Sequence, residues 1–156
     1  MSRAFSAFER FARSSENFLH GLDVEDTDHP FDERNIHPDI SAVSIKLFDN
    51  GHYSQATFEA LKYIDICVKH LSKLNDSGQK LMMAAFSETN PKIRLTALQT
   101  QSEIDEQSGY KFIFSGAMSA IRNPRGHDIN IDPIDRCLDH LSLASVLLRR
   151  LEDHLP

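Results

Sequence analysis

Apolar residues recur at three- and four-residue steps through most of this chain, and no series of alternating segments competes with them. A spacing of that kind puts one apolar stripe on a helix, and a helix with one apolar stripe must bury it against another helix. Phe58, Leu61, Ile64, Val68 and Leu71 form one stripe. Tyr110, Ile113, Phe114, Ala117, Met118 and Ile121 form a second, and Ile134, Cys137, Leu138, Leu141, Ser145, Leu148 and Leu151 a third. Ile40, Val43 and Leu47 give a shorter one, and Leu81, Met82, Ala85 and Phe86 mark a brief helix between the long ones. The pattern predicts an all-α bundle of about five helices. At 156 residues the chain reads as one folded domain able to bury a real core.

Turn and capping residues divide these segments. His37-Pro38 opens a helix, since proline suits the first helical position, and Asn50-Gly51 closes it. Ser54 is the expected cap of the next helix, which runs to about Leu74 before the turn at Asp76-Ser77-Gly78. Ile93, Leu95 and Ala97 alternate, so residues 90–100 fit either a short β-like insertion or an irregular crossover. Helicity resumes near Ser102, with Gly109 as a soft spot. Asp132 is the expected cap of the last helix and Pro133 its first residue; Asp135, Arg149 and Arg150 suit the dipole at its two ends. Near the start, Phe5, Phe8, Ala12, Phe18 and Leu19 predict an amphipathic helix ending at His20-Gly21. Residues 23–35 are acidic and broken by Pro30, which reads as a linker or exposed loop. The expected division is thus an N-terminal helix and linker over 1–36 and a helical bundle over 37–156.

Composition narrows the function. The net charge of −6 argues against a broad nucleic-acid surface but leaves room for a small local site. No apolar run approaches the ~20 residues that span a bilayer. Arg3, Arg10 and Arg13 are interleaved with Glu9 and Glu16, a poor secretory signal, so a cytoplasmic location is the default and no membrane partner is expected. Cys67 and Cys137 have no CxxC partner and read as reduced thiols. The eight histidines show no HxxxH, HExxH or zinc-finger spacing, so no metal is expected. No glycine-rich phosphate loop and no GxSxG elbow occurs, and no cofactor is expected.

The run Ile121-Arg122-Asn123-Pro124-Arg125-Gly126-His127-Asp128 concentrates the chemistry. Arginine offers a permanently charged fork matched to phosphate oxygens. Histidine exchanges protons near neutrality. Together they are what cleavage of an RNA phosphodiester requires. Pro124 disfavours a helical Asn123, so the helix is expected to stop there; Gly126 allows unusual angles in the bend beyond. Arg122 then leaves the last helical turn and His127 faces it across the bend. A structural alternative stands beside this: Arg122 satisfies terminal carbonyls and His127 is a surface loop residue. Glu59 and Lys62 at i,i+3 read as a surface pair or, more sharply, as the flank of a second RNA-binding surface. His52-Tyr53 reads as capping and packing.

An arginine, four residues and a histidine, with asparagine directly after the arginine, resembles the signature of the HEPN superfamily. More narrowly, the chain is similar to the bacterial and phage-associated Ymh family. The matching residues are Leu47-Phe48-Asp49-Asn50-Gly51-His52-Tyr53, Glu59-Ala60 with Lys62, Gly78-Gln79-Lys80-Leu81-Met82, Ala85-Phe86-Ser87, Ser102-Glu103, Gly116-Ala117, and Ala120-Ile121-Arg122-Asn123-Pro124 with Gly126-His127. The resemblance spans about Pro38 to Leu151. It implies a HEPN-like helical bundle and a metal-independent endoribonuclease site assembled in a homodimer. His127 is the implied general base or acid, Arg122 the group that stabilises charge on the phosphate, and Asn123 the residue that holds the geometry. Such a reaction leaves a 2′,3′-cyclic phosphate. Arg125 is a further RNA contact on grounds of charge alone. Antiphage defence or a toxin-like role, a higher homo-oligomer and an antitoxin or regulatory partner also follow from the resemblance. Some HEPN members only bind nucleotides or proteins, which is the alternative function.

Overall fold

The computed structural model describes residues 28–127 and 132–154, so the expected N-terminal helix and Asp128 lie outside the described residues. The helices are α1 Pro30–Glu33, α2 Pro38–Asp49, α3 Tyr53–Ser72, α4 Gly78–Ala85, α5 Gln101–Gly116, a π-helical segment Ala117–Arg122, α6 Asn123–His127 and α7 Ile134–Glu152. The fold is all-helical, with no strand among the described residues.

α3 runs through the middle. It packs against α2, α7, α4, the π segment and α6. Ala56, Ala60, Leu61, Ile64 and Val68 are fully buried along it, and Leu141, Ala144 and Leu147 are buried along α7, which packs against it. Phe58 and Leu71, expected in the same stripe, lie on its flanks; Leu71 is 37% exposed and Phe58 half-buried. The helix begins at Tyr53, one residue before the expected cap. The Ser54 hydroxyl instead accepts the Asp132 backbone N–H at 2.8 Å.

Two His-Pro pairs start helices by the same device. His37 Nδ1 accepts the Asp39 N–H at 3.1 Å, and His29 Nδ1 accepts the Phe31 N–H at 3.1 Å. The second pair corrects the expected linker. Pro30–Glu33 is a helical turn, and Phe31, 3% exposed, packs its ring 4.9 Å from that of Phe48. Ile36 is buried too, so the folded unit begins before residue 37. A four-residue turn has no periodicity to detect.

Residues 90–100 form the irregular crossover, and its anchor is a polar residue. Gln107 is fully buried. Its side-chain oxygen accepts the Leu95 N–H at 2.8 Å, while Nε2 donates to the carbonyls of Phe86 and Ile93 at 3.1 and 3.0 Å. One amide thus satisfies three backbone groups that a strand ladder would otherwise satisfy. Thr100 and Glu103 then form a reciprocal capping box that starts α5.

Lys111 ties α5 to the preceding loop through Glu88, with Nζ 2.6 and 2.7 Å from the two carboxylate oxygens. The lysine, helped by Ser108, holds the Glu88 carboxyl at about 2 instead of 4.5. Because the folded value is depressed, the stabilisation is complete above about pH 4.5 and fades as pH falls towards 2. The urea midpoint of the wild type is therefore expected to drop through that window, and that of Glu88→Gln to drop less steeply. Parallel slopes for the two proteins would count against the pair.

α7 begins at Ile134 with Pro133 just outside it and no side-chain cap. Asp132 is not the cap expected from its position; its side chain turns inward. No helix among the described residues is long and apolar enough to cross a membrane.

Candidate functional site

The helix does not stop at Arg122 with a bend beyond it; the Arg–His run is helical as far as His127. α5 continues through the π segment into α6, and Asn123, despite preceding a proline, has φ −63° and ψ −46°. The local bias against a helical residue before proline is overridden, and the widened turn removes the clash that proline would otherwise make further back. The Asn123 N–H reaches back five residues to the Met118 carbonyl. The pyrrolidine ring of Pro124 therefore meets a coil already opened, without the clash an α turn would impose. Gly126 lies inside α6 and has no positive φ.

An unbroken α6 decides which side chains share a face. Residues four apart align along a helix. Arg122 and Gly126 form one such pair, and both meet Phe58 of α3. The Arg122 guanidinium carbon lies 5.3 Å from the Phe58 ring centroid. A Cβ on Gly126 would stand 2.9 Å from Phe58 Cε2, so glycine is what lets α6 close on this ring. Gly126→Leu is expected to cost about 1–3 kcal/mol through overpacking, read by thermal unfolding. A loss below about 0.5 kcal/mol would mean that Phe58 swings clear.

Asn123 and His127 are the second pair, one turn apart. His127 is exposed and Asn123 half-buried. Arg122 Nη1 donates to Asn123 Oδ1 at 3.1 Å, and the buried Arg122 Nε has no protein partner. The structure thus joins Arg122 to Asn123 directly and places His127 one turn beyond, where the sequence suggested a bend with the two charges facing.

Arg125 departs from the charge-based expectation. Its side chain is 9% exposed and forms a bidentate pair with Asp132, itself 4% exposed. Nη2 donates to Asp132 Oδ1 at 2.8 Å and Nη1 to the Ile121 carbonyl at 2.7 Å. The charge of this guanidinium is thus matched by the Asp132 carboxylate. The pair fastens α6 to the start of α7. Beside it, burial pushes the Cys137 thiol up to about 11. Burial, seconded by Arg125, lowers His140. Both groups are uncharged near neutrality, which suits the inside of a buried ion pair. Cys137 and Cys67 are free thiols.

Beside the motif lies a cleft of about 520 Å³, lined by Leu47, Gln55, Phe58, Glu59, Arg125 and Gly126. Glu59 holds Lys62 Nζ at 3.1 Å from each carboxylate oxygen. A second cleft, about 490 Å³ and mostly apolar, lies between α3 and α7 near Asp39, Tyr63, Cys67 and Glu152. There His37, Asp39 and Glu152 bring potential metal-ligating atoms within 4.8 Å of one another. Sequence spacing had no means of finding this cluster, since Glu152 is 115 positions from His37. Its atoms already satisfy each other. His37 Nδ1 caps α2, which leaves the proton on Nε2 to donate to Glu152 at 3.1 Å. Tyr63 donates to Asp39 at 3.0 Å, and burial with that carboxylate raises the phenol to about 12. A metal at Nε2 would displace the proton and disrupt the cap.

A family model described as "Protein of unknown function (Hypoth_Ymh)" matches residues 34–151. The chain belongs to the Hypoth_Ymh family. No curated protein and no solved structure matches it. The Ymh match begins at Arg34, beside the buried turn at Phe31, and ends at Leu151 in the last turn of α7. It therefore takes in both the motif and the Arg125–Asp132 pair that anchors it.

Proposed function

We propose that this Ymh protein is a metal-independent endoribonuclease of HEPN type, active as a homodimer. The observation that carries the reading is the arrangement on the π segment and α6: an exposed imidazole, one turn from an asparagine that accepts a hydrogen bond from an arginine lying over an aromatic ring. A fixed guanidinium stabilises developing phosphate charge without reorganising at the moment of reaction. In this reading His127 takes the proton from the ribose 2′-hydroxyl or gives one to the leaving 5′-oxygen. The 2′-oxygen attacks the adjacent phosphorus, the bond to the 5′-oxygen breaks, and a 2′,3′-cyclic phosphate remains. Arg122 stabilises the charge on the phosphate, and Asn123 orients Arg122.

The exposed side of α5 supports pairing of two chains. Phe112 is 58% and Ile113 46% exposed, and Ala120 is exposed further along the same continuous helix as His127. Adjacent exposed apolar side chains of that size favour burial against a second protomer. Such pairing gathers two Arg122 and two His127. The Arg125 pair adds little positive charge, because Asp132 neutralises it. Antiphage or toxin-like biology and an antitoxin partner rest wholly on the resemblance to HEPN proteins.

The test is incubation of purified protein with mixed RNA in EDTA. Fragments ending in cyclic phosphate are expected. Intact RNA from a folded dimer under varied salt and pH would sink the nuclease reading. It would favour a non-catalytic module that binds nucleotides or protein, for which a guanidinium fixed beside a cleft also suffices.

A further inference from the structure

We infer that the cleft between α2, α3 and α6 is a nucleobase subsite that prefers guanine. The inference rests on the RNA reading for its place beside the cleavage site, though the subsite itself is tested without cleavage.

The lining decides between ligand classes. The cleft touches two charged side chains, and both are already paired: Arg125 with buried Asp132, Glu59 with Lys62. Neither leaves a net positive charge for a phosphate. What remains is an apolar and aromatic wall, Leu47 and Phe58, edged by the Gln55 amide and the Glu59 carboxylate. Flat, mostly apolar groups with a hydrogen-bonding rim fit such a wall, and unstacked RNA bases are recognised this way. At about 520 Å³ the space is ample for a purine.

Glu59 selects among the bases. An ionised carboxylate only accepts hydrogen bonds and has about four lone-pair positions, so Lys62 does not exhaust it. Guanine presents two adjacent donors, N1–H and N2–H, to a carboxylate. Adenine offers an acceptor at N1 and would set it against the carboxylate. The Gln55 amide is able to donate to guanine O6. Lys62 screens the charge of Glu59, so the approaching RNA backbone meets a neutral pair. Gly126 completes the wall, because any side chain there would strike Phe58. The subsite adjoins the cleavage residues through Arg122, which packs on that same ring.

The experiment uses the full chain with guanosine 3′-monophosphate and adenosine 3′-monophosphate, each titrated by calorimetry and by amide chemical shifts. The guanosine nucleotide is expected to bind about tenfold tighter, within the range of a well-matched bidentate contact. The preference is expected to vanish in Glu59→Gln and to weaken in Gln55→Ala, both with unchanged circular dichroism. Equal affinities, no binding of either nucleotide, or a preference that survives Glu59→Gln would overturn the subsite. RNA cleavage is scored separately. Guanine preference without cleavage upholds the subsite and removes the nuclease, whereas cleavage without base preference does the reverse.

Discussion

His127→Ala is expected to lower RNA cleavage about 10²–10⁴-fold, the usual contribution of a positioned acid–base group. Fold stability is expected to stay within about 0.5 kcal/mol of wild type, because the side chain is exposed. That separation makes it the most informative single change. Arg122→Ala is expected to lose comparable activity, about 10²–10³-fold, but it also removes the packing of a guanidinium on Phe58. A fall in activity there has two causes, and only the histidine variant isolates the chemistry. The measurement is the single-turnover rate on a fluorescent RNA in EDTA, beside a thermal melt of each variant. Wild-type cleavage by His127→Ala would remove the imidazole from the mechanism. Growth arrest on expression, relieved by the same change, would show the effect in cells.

Asp132→Ala is expected to destabilise the protein by about 3–5 kcal/mol. The change leaves the Arg125 guanidinium with its bidentate partner gone and its surroundings still dry. Arg136, 3.7 Å from the Asp132 carboxylate and largely exposed, cannot replace an anion. Burying an unpaired charge is costlier than losing the pair as a whole. The double variant Arg125→Met with Asp132→Leu is therefore expected to recover most of the loss. Urea unfolding of the wild type, Arg125→Met, Asp132→Leu and the double variant forms a complete cycle. A cost below about 1 kcal/mol for Asp132→Ala would mean that water reaches the pair.

The long helices were legible because their stripes are long. Ile64, Val68, Leu141 and Leu148 repeat over enough turns to fix both helix and face, and all are buried. Features that depend on a partner far along the chain were not legible. Asp132 sits where a cap belongs, immediately before a proline, and only the folded chain shows that Arg125 claims it. Gln107 reads as an unremarkable helix polar residue until the crossover is laid across it. Within the motif, residue types and spacing are visible in the sequence, but the course of the backbone is not. Proline biases the residue before it away from helical angles, but Asn123 is helical all the same, and the π turn removes the separate clash with the carbonyl four residues back. Phe58 was visible only as a core residue, because nothing local to it announces the arginine on its face.

The same segment has one consequence beyond tolerance of a proline. A π turn amounts to an α-helix carrying one surplus residue. Removing that residue would close the widened turn to an ordinary α turn, because the extra width is what absorbs it. The interval between Arg122 and His127 would survive such a deletion letter for letter, and so would their compass bearing on the bundle. Relatives that share the motif but lack one residue between 117 and 122 would thus present the same alphabet to the same side of the molecule.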